Sequence, residues 1–553
     1  MKTRLLTGIT LAAALAACAA PVDDVTEGFH GTLEPFASEA VYFVVTDRFV
    51  DGDPTNNHVD QGDGETATFD RPIHLDGQDE ANIGYLGGDF QGIADNAGYI
   101  ADMGFTALWI TPIVDNPDEA FLGSTPPGEG AFTDRGKTGY HGYWGVNFFV
   151  VDEHLESADL SFADLTATLR QDHGIKTVLD IVGNHGSPAF TNPVEQPKFG
   201  EIYAADGTLI ADHQNLHPND LDSDNPLHAF FSNEPDLAQL ADVDPNNPDV
   251  LEYFVAAYSQ WISQGAAAFR VDTIRHMPHS FWKAFSDRIR SEHPGFFMFG
   301  ESFEYDAAKI AEHTYPENGA ISVLDFPGQE AMNEVFAGSA PYSRLLDYLH
   351  LESGIYQNPY ELMTFYDNHD MARMDGDANG FIDANNWLFT SRGIPVVYYG
   401  SEVAFQAGAR EHGGNRNYFG QARVEAATGH PVRVALSMIA NLRKRLPSLQ
   451  RGLQVNLEFT NNTAGFYRVY RHEALTQTAL VLLNKGDSAA TFPTTWLGDA
   501  RWRDELTGEM QGRGDALRVD AHGVRVLTVD TLPDVIDRTT LRTLHNAARR
   551  GAR

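Results

Sequence analysis

A chain of 553 residues is long for one domain and suggests two to four. With 42% hydrophobic and 21% charged residues it has a globular composition able to bury large cores. A formal net charge of −38 argues against nucleic acid or an anionic membrane as a binding partner and suits a neutral substrate or a salty medium.

The chain starts "MKTRLLTGITLAAALAACAA". Lys2 and Arg4 precede an apolar run too short to span a bilayer, which reads as a signal peptide over residues 1–17. Cys18, the single cysteine, follows Leu15-Ala16-Ala17 directly. That context resembles the lipobox of bacterial lipoproteins, whose cysteine becomes the lipidated first residue of the mature chain; the alternative is ordinary cleavage at a small-residue site. The expectation is an exported lipoprotein, periplasmic or attached to the outer membrane, and otherwise a secreted protein; it would touch a membrane only through its lipid, since no later segment reaches about 18 uninterrupted apolar residues. With Cys18 so used, no disulfide remains. Residues 18–37 read as a tether.

Short apolar runs then recur: "AVYFVVTDRF" (40–49), "FTALWITPI" (105–113), "IKTVLDIVGNH" (175–185), "AAAFRVDT" (266–273), "FFMFGES" (296–302), "AISVLDF" (320–326), "ELMTFYDNHD" (361–370) and "GIPVVYYG" (393–400). Helical patterns such as "SFADLTATLRQDHG" (161–174) and "SFWKAFSDRIRSEHPG" (280–295) separate them. This alternation predicts an α/β fold, a (β/α)8 TIM barrel over 38–185 and 251–430. The interval 186–250, after the third strand, is rich in Asn, Asp, Pro and His with little periodicity, and reads as an inserted subdomain. A helix over 432–447 leads into "AGFYRVYRH", "TALVLLNKG" and "GVRVLTVD". Their alternation predicts a C-terminal antiparallel β-sandwich over 431–532, before a locally basic, frayed tail over 533–553.

In such a barrel, chemistry sits at the C-terminal ends of the strands. Asn184 and His185 close strand three; Arg270, Asp272 and His276 close strand four. Glu301 closes strand five, and His369 and Asp370 close strand seven. Taken singly, each acid is as well explained by a helix cap or a salt bridge. Together they form the apparatus of glycoside hydrolysis, one carboxylate ionised and one protonated across a cleft. Asp272, on the same side of its strand as Arg270, is expected to stay anionic and suits a nucleophile. Glu301 follows the aromatic run "FFMFG", where burial would raise its pKa and suit it to be the acid. Separately, "DGDPTNN" gathers Asp51, Asp53, Asn56 and Asn57, hard oxygen donors at calcium spacing, though a plain Asx/Gly turn has the same composition.

"DIVGNH" (180–185), "FRVDTIRH" (269–276), "GES" from Gly300 and "FYDNHD" (365–370), with "LADVD" (240–244) as a fifth, resemble in order and spacing the motifs of glycoside hydrolase family 13, the α-amylase family. The resemblance implies Asp272 as nucleophile, Glu301 as general acid/base and Asp370 as transition-state stabiliser, with His185, Arg270 and His369 binding the sugar at the cleavage point. "GYHGYW" (139–144) is similar to the stretch in which Tyr143 stacks under that sugar, a reading that competes with an ordinary core aromatic. His141, Trp144, Arg275 and Arg416 complete the implied sugar-binding set. "VVTDRFVDGDPTNN" (44–57), "LGGDFQGI" (86–93), "HMPHSFWKAF" (276–285) and "FYDNHDMAR" (365–373) resemble the cyclodextrin glucanotransferase and maltogenic amylase branch. That branch implies structural Ca2+ at the "DGDPTNN" turn with the Gly87 carbonyl and Asp89. It implies a second ion at Asn184, Asp242 and the His276 backbone. Two departures stand out. "AGAREHGGNRNYFG" (407–420) offers Arg416 without an obvious aspartate partner, and glucanotransferases of the branch continue into two further β-domains, which weakens a transferase reading.

The expected function is a retaining α-1,4-glucan hydrolase acting on starch or maltooligosaccharides. A glucanotransferase or a cyclodextrin-degrading or maltogenic amylase is the alternative in the same fold. A silent glucan-binding lipoprotein would have no use for all three carboxylates, and a calcium-dependent adhesion module leaves the rim unexplained. The oligomeric state is not legible.

Overall fold

Eight short strands, too apolar to meet water on either face, pair side by side in a computed structural model that describes residues 27–59, 61–74, 80–123, 135–190, 192–405 and 414–549. The signal peptide, Cys18 and the first part of the tether lie outside the described residues. The strands are β1 (Val41–Val44), β2 (Ala107–Ile110), β3 (Lys176–Ile181), β4 (Ala266–Val271), β5 (Phe297–Gly300), β6 (Ser322–Val323), β7 (Met363–Thr364) and β8 (Ile394–Tyr398). All neighbours are parallel, β8 returns to pair with β1, and a Leu324–Met363 bridge joins β6 to β7. This is the TIM barrel expected from the strand–helix alternation. Every residue of β1, β2, β5 and β8 is buried, because helices cover the outside and side chains fill the inside. Within that filling, Phe43 stacks on Trp109 with ring centroids 3.7 Å apart. The surrounding helices start where their sequences dictate. Ser161 and Asp164 form a capping box for Phe162–Asp172, and Asn247 with a first-turn proline starts Pro248–Ser263.

The insertion between β3 and β4 is built from small antiparallel pairs, His185–Pro188 with Leu240–Asp242 and Glu201–Tyr203 with Leu209–Asp212. Pairs this short give no sequence periodicity. Beyond the barrel, strands β9 (Leu453–Phe459), β10 (Thr463–His472), β11 (Leu475–Asn484), β12 (Ala490–Phe492), β13 (Trp502–Asp504), β14 (Met510–Gln511), β15 (Leu517–Val519) and β16 (Gly523–Val529) make the C-terminal β-domain. Six of them form an antiparallel sheet in the order β9-β10-β11-β16-β13-β14, and β12 pairs with β15 separately. Arg468, fully buried on β10, donates to the carbonyls of Thr390 (2.6 Å), Ser391 and Gly452 and so ties this sheet to the end of the barrel.

The expected frayed tail is instead ordered over Arg538–Ala548, a helix α1 capped by Asp537. Leu541, Leu544, His545 and Ala548 share one buried face, and that face, which residue-by-residue basicity obscures, is what orders it. The N-terminal segment passes beneath the barrel floor. Phe29 exchanges backbone hydrogen bonds with Arg471 (2.8 and 2.6 Å), and the Thr32 hydroxyl donates to Glu361 just before β7 (2.5 Å).

Candidate active site

Strand periodicity and register assemble the acids. Arg270 and Asp272, two positions apart, lie on one side of the chain as it leaves β4. Arg270 is level with Asp180 of β3, and Val271 with Gly300 of β5, so Asp272 and Glu301 emerge side by side. The fully buried Arg270 guanidinium serves all three acids. Its Nη1 donates to Asp180 Oδ1 (2.8 Å) and Asp272 Oδ1 (2.6 Å), and its Nη2 lies 2.9 Å from Glu301 Oε2. Such pairing is what allows charge to be buried at all.

Asp180, quoted within a motif but given no role from sequence, is the hub beneath the site. It also accepts hydrogen bonds from Trp109 Nε1 and the Tyr143 hydroxyl, both 2.9 Å. Burial pushes its carboxyl up to about 7 against the pull of Arg270. The available signal was an acid in the middle of a buried apolar strand, which is rarely left without a partner. From Asp180 the network continues through Tyr143, whose hydroxyl lies 2.7 Å from His369 Nε2 and whose ring stacks on that histidine. His369 Nε2 stands 3.4 Å from Asp370 Oδ2, and Asp370 Oδ1 accepts from Arg416 Nη2 at 2.6 Å. Arg416 is therefore held by Asp370, the acid already read from the segment after β7.

Burial holds the Glu301 carboxyl well above the usual carboxylate range, opposed by Arg270 and reinforced by the negative charges of Asp370 and Asp272. Burial lowers His185 to about 4, so its imidazole is neutral around pH 7. Asp272, Glu301, Asp370, His185, His369 and Tyr143 line one cavity of about 390 Å³. His141, Trp144, His276 and Arg416 reach it as well. Trp144 contributes an edge only, being packed with Phe121, Phe199 and Leu240. Gly142, at φ +83°, makes the turn between His141 and Tyr143; a Cβ there would meet the Pro112 carbonyl oxygen at 2.1 Å. Arg275 is not brought into this cavity. The turn Ile274–His276 swings it outward to the Phe303 carbonyl and a separate cavity. Lys137 and Phe303 line the main cavity without having been singled out from sequence. Phe303, two residues past Glu301, remains 39% exposed and offers an apolar face to a ligand.

Away from the acids, Asp51, Asn56, Asn57 and Asp89 converge beside Gly87. Asp89 accepts from the backbone N–H groups of Gly52, Asp53 and Gly92, and Asn57 donates to Asp51 Oδ2 (2.8 Å). Asp51 Oδ1, Asn56 Oδ1 and Asn57 Oδ1 are buried with no hydrogen-bond donor, an array of hard oxygens that fits a cation. Asp53 instead turns its carboxylate to Thr55. At the root of the insertion, Asp242 Oδ2 accepts from the N–H groups of Asp236 and Leu237 while Oδ1 is buried without a donor. Asn184 is buried beside it, its carbonyl accepting from Val243, and His276 Nδ1 lies 2.9 Å from Asp236.

Residues 43–437 match the alpha-amylase catalytic domain. Over 505 residues the chain is 29% identical to a cyclomaltodextrin glucanotransferase of Klebsiella oxytoca, covering 82% of this chain and 71% of that one. Over 525 residues it is 30% identical to an alpha-amylase of Niallia circulans, covering 92% and 91%. Among solved structures it is similar to a cyclomaltodextrin glucanotransferase with a three-domain ABC distribution, at TM-score 0.70 and 28% identity, covering 89% of this chain and 99% of that one.

Proposed function

The chain belongs to the alpha-amylase family of glycoside hydrolases, and from that premise we propose that it is a retaining α-1,4-glucan hydrolase acting on starch or maltooligosaccharides. The observation that carries the reading is the single Arg270 guanidinium in contact with both Asp272 and Glu301. One cation serving two acids favours the close carboxyl pair of double displacement, about 5–5.5 Å apart, over the wider gap of an inverting pair. In this mechanism the Asp272 carboxylate attacks the anomeric carbon while Glu301 gives its proton to the glycosidic oxygen. The leaving sugar departs, Glu301 then takes a proton from water, and the resulting hydroxide releases the glycosyl group from Asp272. Asp370, His369 and the neutral His185 bind sugar hydroxyls, and Tyr143 lies under the ring.

Transfer to a second sugar is the other reading, and Phe303 is the observation that favours it. An apolar ring beside the acid can seat an acceptor and exclude water. Domain count no longer argues against transfer, since one similar glucanotransferase has only three domains. Digestion of maltoheptaose decides between the readings: shorter products alone mean hydrolysis, and longer or cyclic ones mean transfer.

We further propose two structural Ca2+ ions, one held by Asp51, Asn56, Asn57, Asp89 and the Gly87 carbonyl, the other by Asn184, Asp242 and the His276 backbone. Bound there, calcium would supply rigidity and no step of the reaction. Export and lipid attachment at Cys18 complete the proposal, supported by the leader sequence.

A further inference from the structure

Two arginines of α1 and the arginine that caps its C-terminal end lie along one side of the helix. Arg538, Arg542 and Arg549 are exposed, and at 100° per residue they fall within about 40° of one another. Arg451 reaches the same corner, its backbone carbonyl accepting from Gly31 and its guanidinium lying over the Tyr470 ring, 5.1 Å from the centroid. Against them are Glu27, which pairs with Arg542 Nε at 2.7 Å, Asp537 at the helix cap, and Glu473. His30, His472 and His545 cluster between these elements. In a chain with net charge −38 this is a locally cationic corner among the described residues.

Its position matters as much as its charge. Glu27 sits on this corner, and from there the chain runs under the barrel floor to Thr32 and β1, whereas Asp272, Glu301 and Asp370 occupy the opposite rim. Cys18 is nine residues before Glu27, a reach of at most about 30 Å. A chain tethered there keeps its cationic corner within that reach of the membrane. An anionic bilayer attracts that corner and repels the acidic remainder, and screening over about 8 Å lets only the nearest charges be felt.

We propose that the outer face of α1, Arg538, Arg542 and Arg549 with Arg451 beside them, is a headgroup-facing surface that seats the lipid-anchored enzyme on an anionic bilayer with its floor inward and its catalytic rim outward. This rests on the lipid-anchor reading above. Flotation of the native chain with vesicles tests that reading separately. For the orientation itself the mature full-length chain is attached through its native lipid or, if flotation fails, by coupling the Cys18 thiol to a maleimide-bearing lipid. The vesicles are phosphatidylcholine alone or with about a third phosphatidylglycerol. Amide hydrogen exchange over 538–548 is expected to slow about threefold or more on the anionic vesicles, with the rim peptide 299–306 unchanged. The difference vanishes in R538Q/R549Q and at high salt, and persists in R538K/R549K, which keeps the charge. Equal exchange on both vesicles, protection at the rim, or indifference to the glutamine pair overturns the proposal.

Discussion

With its guanidinium shared among Asp180, Asp272 and Glu301, Arg270 ties the three acids together and opposes the upward push of burial on Glu301. Asp272→Asn removes the attacking group but keeps the shape and one acceptor for Arg270. Turnover is expected to fall by roughly 10³-fold or more, with a thermal midpoint close to the parent's. Wild-type rates in that variant would refute its role as nucleophile. Glu301 must be protonated to act as an acid, so activity falls as pH rises through its pKa, which burial and two neighbouring anions hold high. Asp370→Asn removes one of those anions. The alkaline limb of the residual kcat/KM profile is therefore expected at lower pH than in the parent, and an unmoved limb would detach Asp370 from Glu301. At this level the sequence was legible where it was local. An acid two positions after an arginine at a strand end can be read directly, but the Arg416–Asp370 pair and the triple use of Asp180 cannot. They join residues 46 and up to 90 positions apart, which only barrel closure brings together.

Loops between strands carry the remaining chemistry, and two of them make sharp demands on sequence. Gly142 stands at φ +83° with the Pro112 carbonyl oxygen where a methyl group would go. Gly142→Ala combines left-handed strain with a clash against backbone, so it is expected to displace Tyr143 and cut activity at least tenfold while lowering the thermal midpoint. Assays and melting curves read both effects. The Asp51–Asn57 turn presents three buried oxygens without donors, a cost that the proposed cation would offset. Chelation is expected to lower the melting temperature before it slows the enzyme that is still folded, and Asp51→Ala should shrink the drop; no response to chelator or added calcium would remove the ion from the account. Composition announced this turn because its donors are contiguous. The pairs of the insertion, three or four residues long, left no such trace.

Across the whole molecule, the barrel and the β-domain are held by charge buried at their seam. Arg468 is fully enclosed among carbonyls of Thr390, Ser391 and Gly452. Arg468→Met leaves those acceptors dry and is expected to cost at least about 2 kcal/mol, read as a lower unfolding midpoint with kcat unchanged in the folded fraction. A midpoint equal to the parent's would mean that Arg468 does not hold the seam. The eightfold alternation of strand and helix made the barrel readable in advance, because buried parallel strands have to be continuously apolar. The helix at the end was missed because a basic composition masks a single apolar face of four residues. That helix has one more consequence. His30 bonds to His545 and Glu27 to Arg542, each pair 515 positions apart along the chain, so an early segment is latched by one made much later. A nascent chain cannot finish this corner until its far segment has emerged, and a ribosome that stalls early releases a product whose opening stretch has nothing to dock on.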